Sequence, residues 1–312
     1  MPGTYVFPGV LEIDTLLGGW ERVTAGYLVE GPAPVLVETG SQSSVPVLLA
    51  ALADHGLGPD DLAGIAVTHV HLDHAGGVGD VARAFPRARV YVHPRGARHL
   101  SDPSRLVASA ATVYGDALDS LYGRLEPTEA SRVHALEDGE AVVLGHGRTL
   151  RAVHSPGHAK HHLALQDSDS GALFVGDAVG VRLPGAGVLR PATPPADFDL
   201  ALALDSLSRF AACAPSALAL AHYGALPGSP SEALAEAAES LQDWASVARA
   251  AWQSGGDVEE ALRSRFGPEL DALPAGQRER VETLNGIHSN AEGLKLWLAR
   301  SGSNGGGAVA GL

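Results

Sequence analysis

Residues 68–77 read T-H-V-H-L-D-H-A-G-G, which places His69, His71, Asp73 and His74 within six residues. Four ligand-type side chains gathered at one point repel each other and are costly to desolvate unless a cation compensates them. The fold therefore has to deliver this stretch to a metal, with further donors arriving from elsewhere. Neutral imidazole and carboxylate are donors that Zn²⁺, Fe²⁺ and Mn²⁺ accept. The flanks give the context. Gly64 and the apolar run Ile65-Ala66-Val67 suit a buried strand, and Ala75-Gly76-Gly77 allows a tight turn before a helical pattern over 78–85. The ligand candidates thus lie at the carboxyl end of a strand, where α/β proteins place their chemistry. In an extended loop, alternation sends His69, His71 and Asp73 to one side and His74 to another. One metal does not readily take all four, so the pattern predicts two metals side by side.

Along the chain, residues 5–38 hold short β-like runs (10–13, 27–29, 35–37) punctuated by Gly and Pro, which predicts hairpins. Residues 45–55 read as a helix closed by Gly56, and 89–93 as a strand. Residues 104–125 carry apolar positions on one face and read as a longer helical insertion that walls a site. Strands are expected at 133–136, 141–144, 150–154, 162–166, 172–175 and 217–221, with a helix at about 198–212. The Pro/Gly-rich segment 183–195 reads as a loop rimming a site. From Ser229 the pattern becomes helical. Asp257 and Glu260 open one helix that Gly267-Pro268 should end, and Ser289 and Glu292 open another. The expected organisation is a catalytic domain over 1–228, a helical extension over 229–300 and a flexible Gly/Ser tail over 301–312.

Three later stretches repeat the grammar of a strand ending in a ligand-type residue: H-S-P-G-H (154–158), V-G-D ending at Asp177, and A-H-Y-G with His222. Spacing alone does not choose between His154 and His158, although Pro156-Gly157 make a turn that presents His158 at a strand end. Together with the opening motif, these stretches supply enough donors for two metals with an aspartate between them.

In order and spacing, H-V-H-L-D-H, S-P-G-H, G-D-A and H-Y-G resemble the metallo-β-lactamase superfamily, most closely its glyoxalase-II-type dinuclear hydrolases, over residues 5–225. The resemblance implies an α/β fold, a four-layer αβ/βα sandwich of two mixed sheets with helices outside, here followed by the helical extension. It implies that His69, His71 and His158 hold one metal, that Asp73, His74 and His222 hold the other, and that Asp177 bridges them. It leaves His154 as a strand residue or a support behind the ligands, a role also open to His161 and His162. Two departures stand out. Glu38 occupies the early-loop position where the family usually has an aspartate supporting the metals, and the Arg/Lys pattern that grips glutathione is missing. Tyr223 replaces a frequent glycine, which offers either a donor to a substrate carbonyl or a packing role.

These readings predict two divalent ions, zinc first with iron or manganese acceptable, that generate a hydroxide attacking an ester, thioester or lactone carbonyl of a small molecule. Asp73 and Asp177 position metal and hydroxide. A mononuclear iron persulfide dioxygenase of the same fold, or a phosphodiesterase, is the alternative. The formal net charge of −14 argues against nucleic acid as a partner. The single cysteine, Cys213, excludes an internal disulfide and reads as a small hydrophobe at a helix end. No membrane-length apolar run and no signal-peptide pattern are visible, so the expected location is the cytoplasm. The helical extension is expected either to cover the site or to build a homodimer interface.

Overall fold

Period-two alternation along the strands divides their side chains between different cores. The computed structural model describes residues 3–115, 118–182, 185 and 189–304. One sheet holds β1 (Thr4–Phe7), β2 (Val10–Asp14), β3 (Ala25–Val29), β4 (Val35–Val37), β5 (Gly64–Ala66), β6 (Arg89–Val92) and β7 (Val133–Ala135), hydrogen-bonded in that order. Pairing is antiparallel from β1 to β4 and parallel from β4 to β7. The other sheet holds β8 (Ala141–Gly145), β9 (Arg148–His154), β10 (Leu163–Asp167), β11 (Ala172–Gly176), β12 (Ala217–Leu220) and β13 (Gly224–Ala225), again in chain order. There only β11 and β12 run parallel.

The two sheets face each other across a core of Val10, Tyr27, Val29, Val35 and Val37 against Leu144, Leu150, Leu163, Leu165 and Phe174. The intervening residues point outward. Leu11, Leu28, Leu36 and Ile65 pack under α1 (Val45–Asp54), α2 (Leu72–Ala75), α3 (Val78–Ala84), α4 (Pro94–Ser101) and α5 (Ser104–Tyr114). Val153, Ala164, Leu173, Val175 and Leu218 pack under α6 (Leu200–Ala212), α7 (Pro230–Gln253), α8 (Val258–Asp271), α9 (Ala275–Asn285) and α10 (Ile287–Asn304). Both faces of the central strands are buried, which is why β3, β4, β5 and β11 read as nearly continuous apolar runs, while the edge strands β1 and β8 keep exposed residues. The result is the expected α/β sandwich of four layers with a helical C-terminal region.

The structure corrects several local expectations. The 104–125 helix stops at Tyr114, because Gly115 turns the chain at φ +53°. α8 runs through Pro268 to Asp271. Phe266, stacked on Trp244 at 4.5 Å, and the buried Leu270 hold the helix on the core across the missing N–H. α10 starts at Ile287, so Ser289 lies inside it, and it extends past residue 300 to Asn304. Residues 305–312 of the expected tail, and 183, 184 and 186–188 of the expected rim loop, fall outside the described residues. Strands β1 and β13 have weak sequence signals and lie outside the expected strands, and α9 falls in the expected helical extension without a start signal of its own. No helix among the described residues is long and apolar enough to cross a membrane.

Candidate metal centre

The two sheets bring their ligand-bearing ends to one edge of the sandwich. The extended loop predicted for residues 68–74 is corrected by the structure. The chain leaves β5, and at His71 it turns into the single helical turn α2, whose His74 and Ala75 N–H groups donate to the His71 carbonyl at 3.1 and 2.9 Å. Helical rotation, rather than strand alternation, separates Asp73 from His74. The β9–β10 loop supplies His158, the end of β11 supplies Asp177, and the end of β12 supplies His222.

The seven side chains form two sets. His69 Nε2, His71 Nδ1 and His158 Nε2 converge, with His71 Nδ1 lying 2.9 Å from His69 Nε2 and 3.1 Å from His158 Nε2. Asp73 Oδ2, His74 Nε2 and His222 Nε2 converge beside them, at 3.8, 3.3 and 3.2 Å from one another. Asp177 stands between. Its Oδ1 is 3.4 Å from both His74 Nε2 and His222 Nε2, and its Oδ2 is 3.6 Å from His158 Nε2.

The remaining ring nitrogens decide what the inward ones offer. His158 Nδ1 donates to the Ala192 carbonyl at 3.1 Å, and His222 Nδ1 to the Val23 carbonyl at 2.9 Å. Thr68 Oγ1 donates to Glu38 Oε1 at 2.5 Å and so accepts from His69 Nδ1 at 3.1 Å. In its neutral form each of these rings therefore turns an unprotonated Nε2 inward, the tautomer a metal requires. A tetrahedral zinc ion with bonds of roughly 2.0–2.1 Å has its ligand atoms about 3.3 Å apart, close to the separations in both sets. The residues fit divalent cations.

Electrostatics differs between the sets. Burial, reinforced by the neighbouring imidazoles, holds His69 well below the usual histidine range, and burial and His158 bring His71 to about 4. His158 is lowered as well, mainly by burial. Burial also opposes charge on His74, but Asp177, Asp73 and Glu38 outweigh it and push its pKa well up. His222 is raised in the same way, with Asp177 overcoming burial. The first set is an array of neutral imidazoles, and the second is rich in carboxylate.

Glu38 sits behind both sets. It is buried, accepts from Thr68, and places Oε1 3.5 Å from His74 Nδ1. The longer side chain thus reaches the ligands it was expected to support. His162 lies behind Asp177. It accepts from the Asp177 N–H at 3.3 Å and bonds Ser155 Oγ at 2.8 Å. His154 bonds the Leu136 carbonyl at 2.8 Å and stays out of the centre. Cys213 caps α6, partly buried against the core and away from the ligands.

Tyr223 is not brought to the site. Its phenol pairs with Glu12, its ring lies under the Arg22 guanidinium at 5.0 Å, and it packs against two of the cores. The tyrosine that faces the metal ligands is Tyr114, at the end of α5. Desolvation and the nearby Asp73 push its hydroxyl up to about 12, so it remains a donor. The cavity in front of the ligands measures about 740 Å³. It is walled by α4 and α5 as expected of the insertion, rimmed by residues 192–197, and closed on one side by Leu284, Asn285, Ser289 and Asn290 of the extension. Asn290 fixes that rim: its Oδ1 accepts from the Thr193 N–H at 2.7 Å. The extension therefore covers part of the site.

Gly157 gives a local test of this construction. It has φ +141°, and a methyl group there would overlap the Ala203 backbone of α6. Gly157→Ala should displace the turn that presents His158. We expect a weaker first metal site by at least the roughly 10–100-fold that loss of an outer support costs, read by competition with a chromogenic chelator. Unchanged affinity would show that the turn does not set the ligand.

A family model described as Metallo-beta-lactamase superfamily matches residues 18–222. The metallo-β-lactamase fold-containing protein ST1585 of Sulfurisphaera tokodaii is 34% identical over 226 residues, 71% of this chain and 76% of its own. The crystal structure of ST1585 superposes with a TM-score of 0.67 and 25% identity, covering 92% of this chain and 98% of that one. The hydroxyacylglutathione hydrolase of a Synechococcus strain is 29% identical over 168 residues, 54% of this chain and 53% of its own. An atrochrysone carboxyl ACP thioesterase of Pseudocercospora fijiensis is 24% identical over 152 residues, 48% of this chain and 35% of its own.

Proposed function

The chain belongs to the metallo-β-lactamase superfamily, and from that premise we propose that it is a dinuclear metal-dependent hydrolase acting on an ester, thioester or lactone carbonyl. Members of the superfamily are mostly hydrolases and bind divalent metals, usually zinc. The observation that carries the proposal is the split of Asp177, one carboxylate oxygen directed to each ligand set. A carboxylate so placed serves two cations, whereas a mononuclear site leaves one set without a purpose. Thioesterase and hydroxyacylglutathione hydrolase relatives support carbonyl chemistry over phosphodiester chemistry.

His69, His71 and His158 would hold one ion, Asp73, His74 and His222 the other, with Asp177 shared. Bound there, the ions supply Lewis acidity and a water acidic enough to attack a carbonyl at neutral pH. The chain's own residues do the rest. Glu38, Thr68 and His162 lock the ligands, so little reorganisation accompanies the reaction. Asp73 and Asp177, the carboxylates of the ligand sets that line the cavity, would orient the attacking water. Tyr114 donates a hydrogen bond to substrate from the cavity wall. His161, held at about 3 by burial and by His71, faces substrate as a neutral ring. No serine or cysteine nucleophile is required.

Metal analysis of the purified protein followed by a panel assay tests the proposal. We expect two zinc ions per chain, and turnover of at least one carboxylic ester, thioester or lactone that a chelator abolishes and zinc restores. One iron per chain with oxygen uptake on a persulfide would overturn it in favour of the dioxygenase.

A further inference from the structure

The cavity has an unusual charge for this chain. The protein carries 36 acidic residues against 22 Lys and Arg, yet three guanidiniums, Arg95, Arg98 and Arg105, line the wall that α4 and α5 form. Among the described residues none of the three is paired with a carboxylate. Arg98 Nε contacts only a neighbouring ring nitrogen, His99 Nε2, at 3.3 Å. The acids nearby are committed elsewhere. Asp197 is paired with Lys160 at 2.7 Å, and Asp102, held by the Ser104 hydroxyl at 2.6 Å, feels the Arg105 charge without forming an ion pair with it. Asp73 and Asp177 belong to the metal sets.

An acidic protein does not leave three arginines together at a cavity mouth for stability, because unpaired like charges repel. The guanidinium group matches carboxylate and phosphate oxygens in planar, bidentate geometry. Spacing places the anion. The His99 ring is 6.3 Å from His161, which is 5.7 Å from the ligand His71. Arg98, in contact with His99, therefore stands two rings beyond His71, and with Arg95 and Arg105 on the same cavity wall it would hold a remote group and not the reacting carbonyl. Binding energy from such a group is what positions a scissile bond.

We propose that Arg95, Arg98 and Arg105 form a subsite for a remote anionic group, phosphate or carboxylate, on the hydrolysed substrate. The inference rests on the hydrolase reading above. It makes the substrate an anionic ester or thioester, with its charge on the leaving group or at the far end of the acyl chain.

Two substrate pairs separate those sources. S-acetylpantetheine and its 4′-phosphate differ by a charge on the thiol side, and S-butyryl- and S-succinylpantetheine by a charge on the acyl side. With the zinc-loaded full chain at low salt, the charged member of at least one pair should have a kcat/KM tenfold or more above its neutral partner. The advantage should shrink with added salt and fall below twofold in the R95Q/R98Q/R105Q variant, while turnover of the neutral members is unchanged. The three side chains are exposed, so the neutral substrates also report that the variant is folded. Calorimetry with the corresponding S-alkyl thioethers should show the same loss of affinity without turnover. No charge advantage in either pair, or one that survives the triple substitution because the metals bind the anion, would overturn the proposal. If none of these thioesters is turned over, the thioether titration still decides the subsite, while the ester, thioester and lactone panel decides the hydrolase reading.

Discussion

Asp177→Ala is expected to abolish metal-dependent turnover and to leave at most one firmly bound ion per chain. Loss of a hydrogen-bonding partner behind a ligand costs roughly 10–100-fold in affinity or activity. Asp177 stands in the ligand layer itself and faces both sets, at 3.4 Å from His74 and His222 and 3.6 Å from His158. Its removal should therefore exceed that range. The second set should suffer more. Without Asp177 it keeps Asp73 as its only carboxylate, whereas the first set retains three neutral imidazoles. Inductively coupled plasma analysis after dialysis, with kcat/KM on the best panel substrate, reads both effects. Asp177→Asn separates charge from shape, because the amide keeps one oxygen acceptor and the backbone hydrogen bond to His162. Two ions per chain with near-native turnover in Asp177→Ala would sink the bridging role.

The side chains that converge were legible in the sequence because each follows a strand whose burial can be read from apolar residues, and the chemistry then stands out near the strand end. His158, Asp177 and His222 come from distant segments, yet each announces itself that way. Glu38, which follows β4, was legible only through the resemblance, as the residue at the position where the family usually has an aspartate. The substrate side was not. Arg95, Arg98 and Arg105 look like ordinary surface charges along α4 and α5, and only packing of those helices against the ligand end of the sheet turns them toward a shared cavity. Tyr114 was hidden similarly, since a long apolar helical pattern gave no sign that Gly115 would end the helix beside the ligands. Of the two roles open to Tyr223, the structure gives packing, for the converse reason. Adjacency in sequence to a ligand is not adjacency in space when the chain turns at the strand end, and Glu12 and Arg22 of the neighbouring hairpin draw the ring away. The misplaced stop at Pro268 was a propensity argument overridden by burial of Phe266 and Leu270.

Arg148→Ala should be the most damaging single change remote from the metals. Arg148 opens β9, at the end of the second sheet opposite the ligands, and its guanidinium grips buried Asp167 through two bonds, Nε at 2.9 Å and Nη2 at 2.6 Å. The same guanidinium donates to the carbonyls of Pro8, Gly9 and Glu30, so one side chain ties the second sheet to the β1–β2 turn and the end of β3 in the first. Breaking a buried pair by removing one partner costs about 3–5 kcal/mol, because the remaining charge is left without compensation. For a chain of this size that is a fall in Tm on the order of 10 °C. Burial opposes the Asp167 charge, but Arg148 and Ser170 overcome it and hold the pKa below the usual carboxylate range. A group depressed on folding stabilises above its unfolded pKa, about 3.9, and loses that contribution as pH falls through the folded value. In the variant the uncompensated carboxylate can instead take up a proton, so the gap between wild type and Arg148→Ala should narrow as pH falls from 7 toward 4. Adding Asp167→Asn should recover part of the loss at pH 7, giving a double variant more stable than the sum of the two single changes. Thermal melts of the four proteins at the two pH values decide the matter. A Tm within about 2 °C of wild type, or strict additivity of the two changes, would mean that the pair does not hold the sheets together.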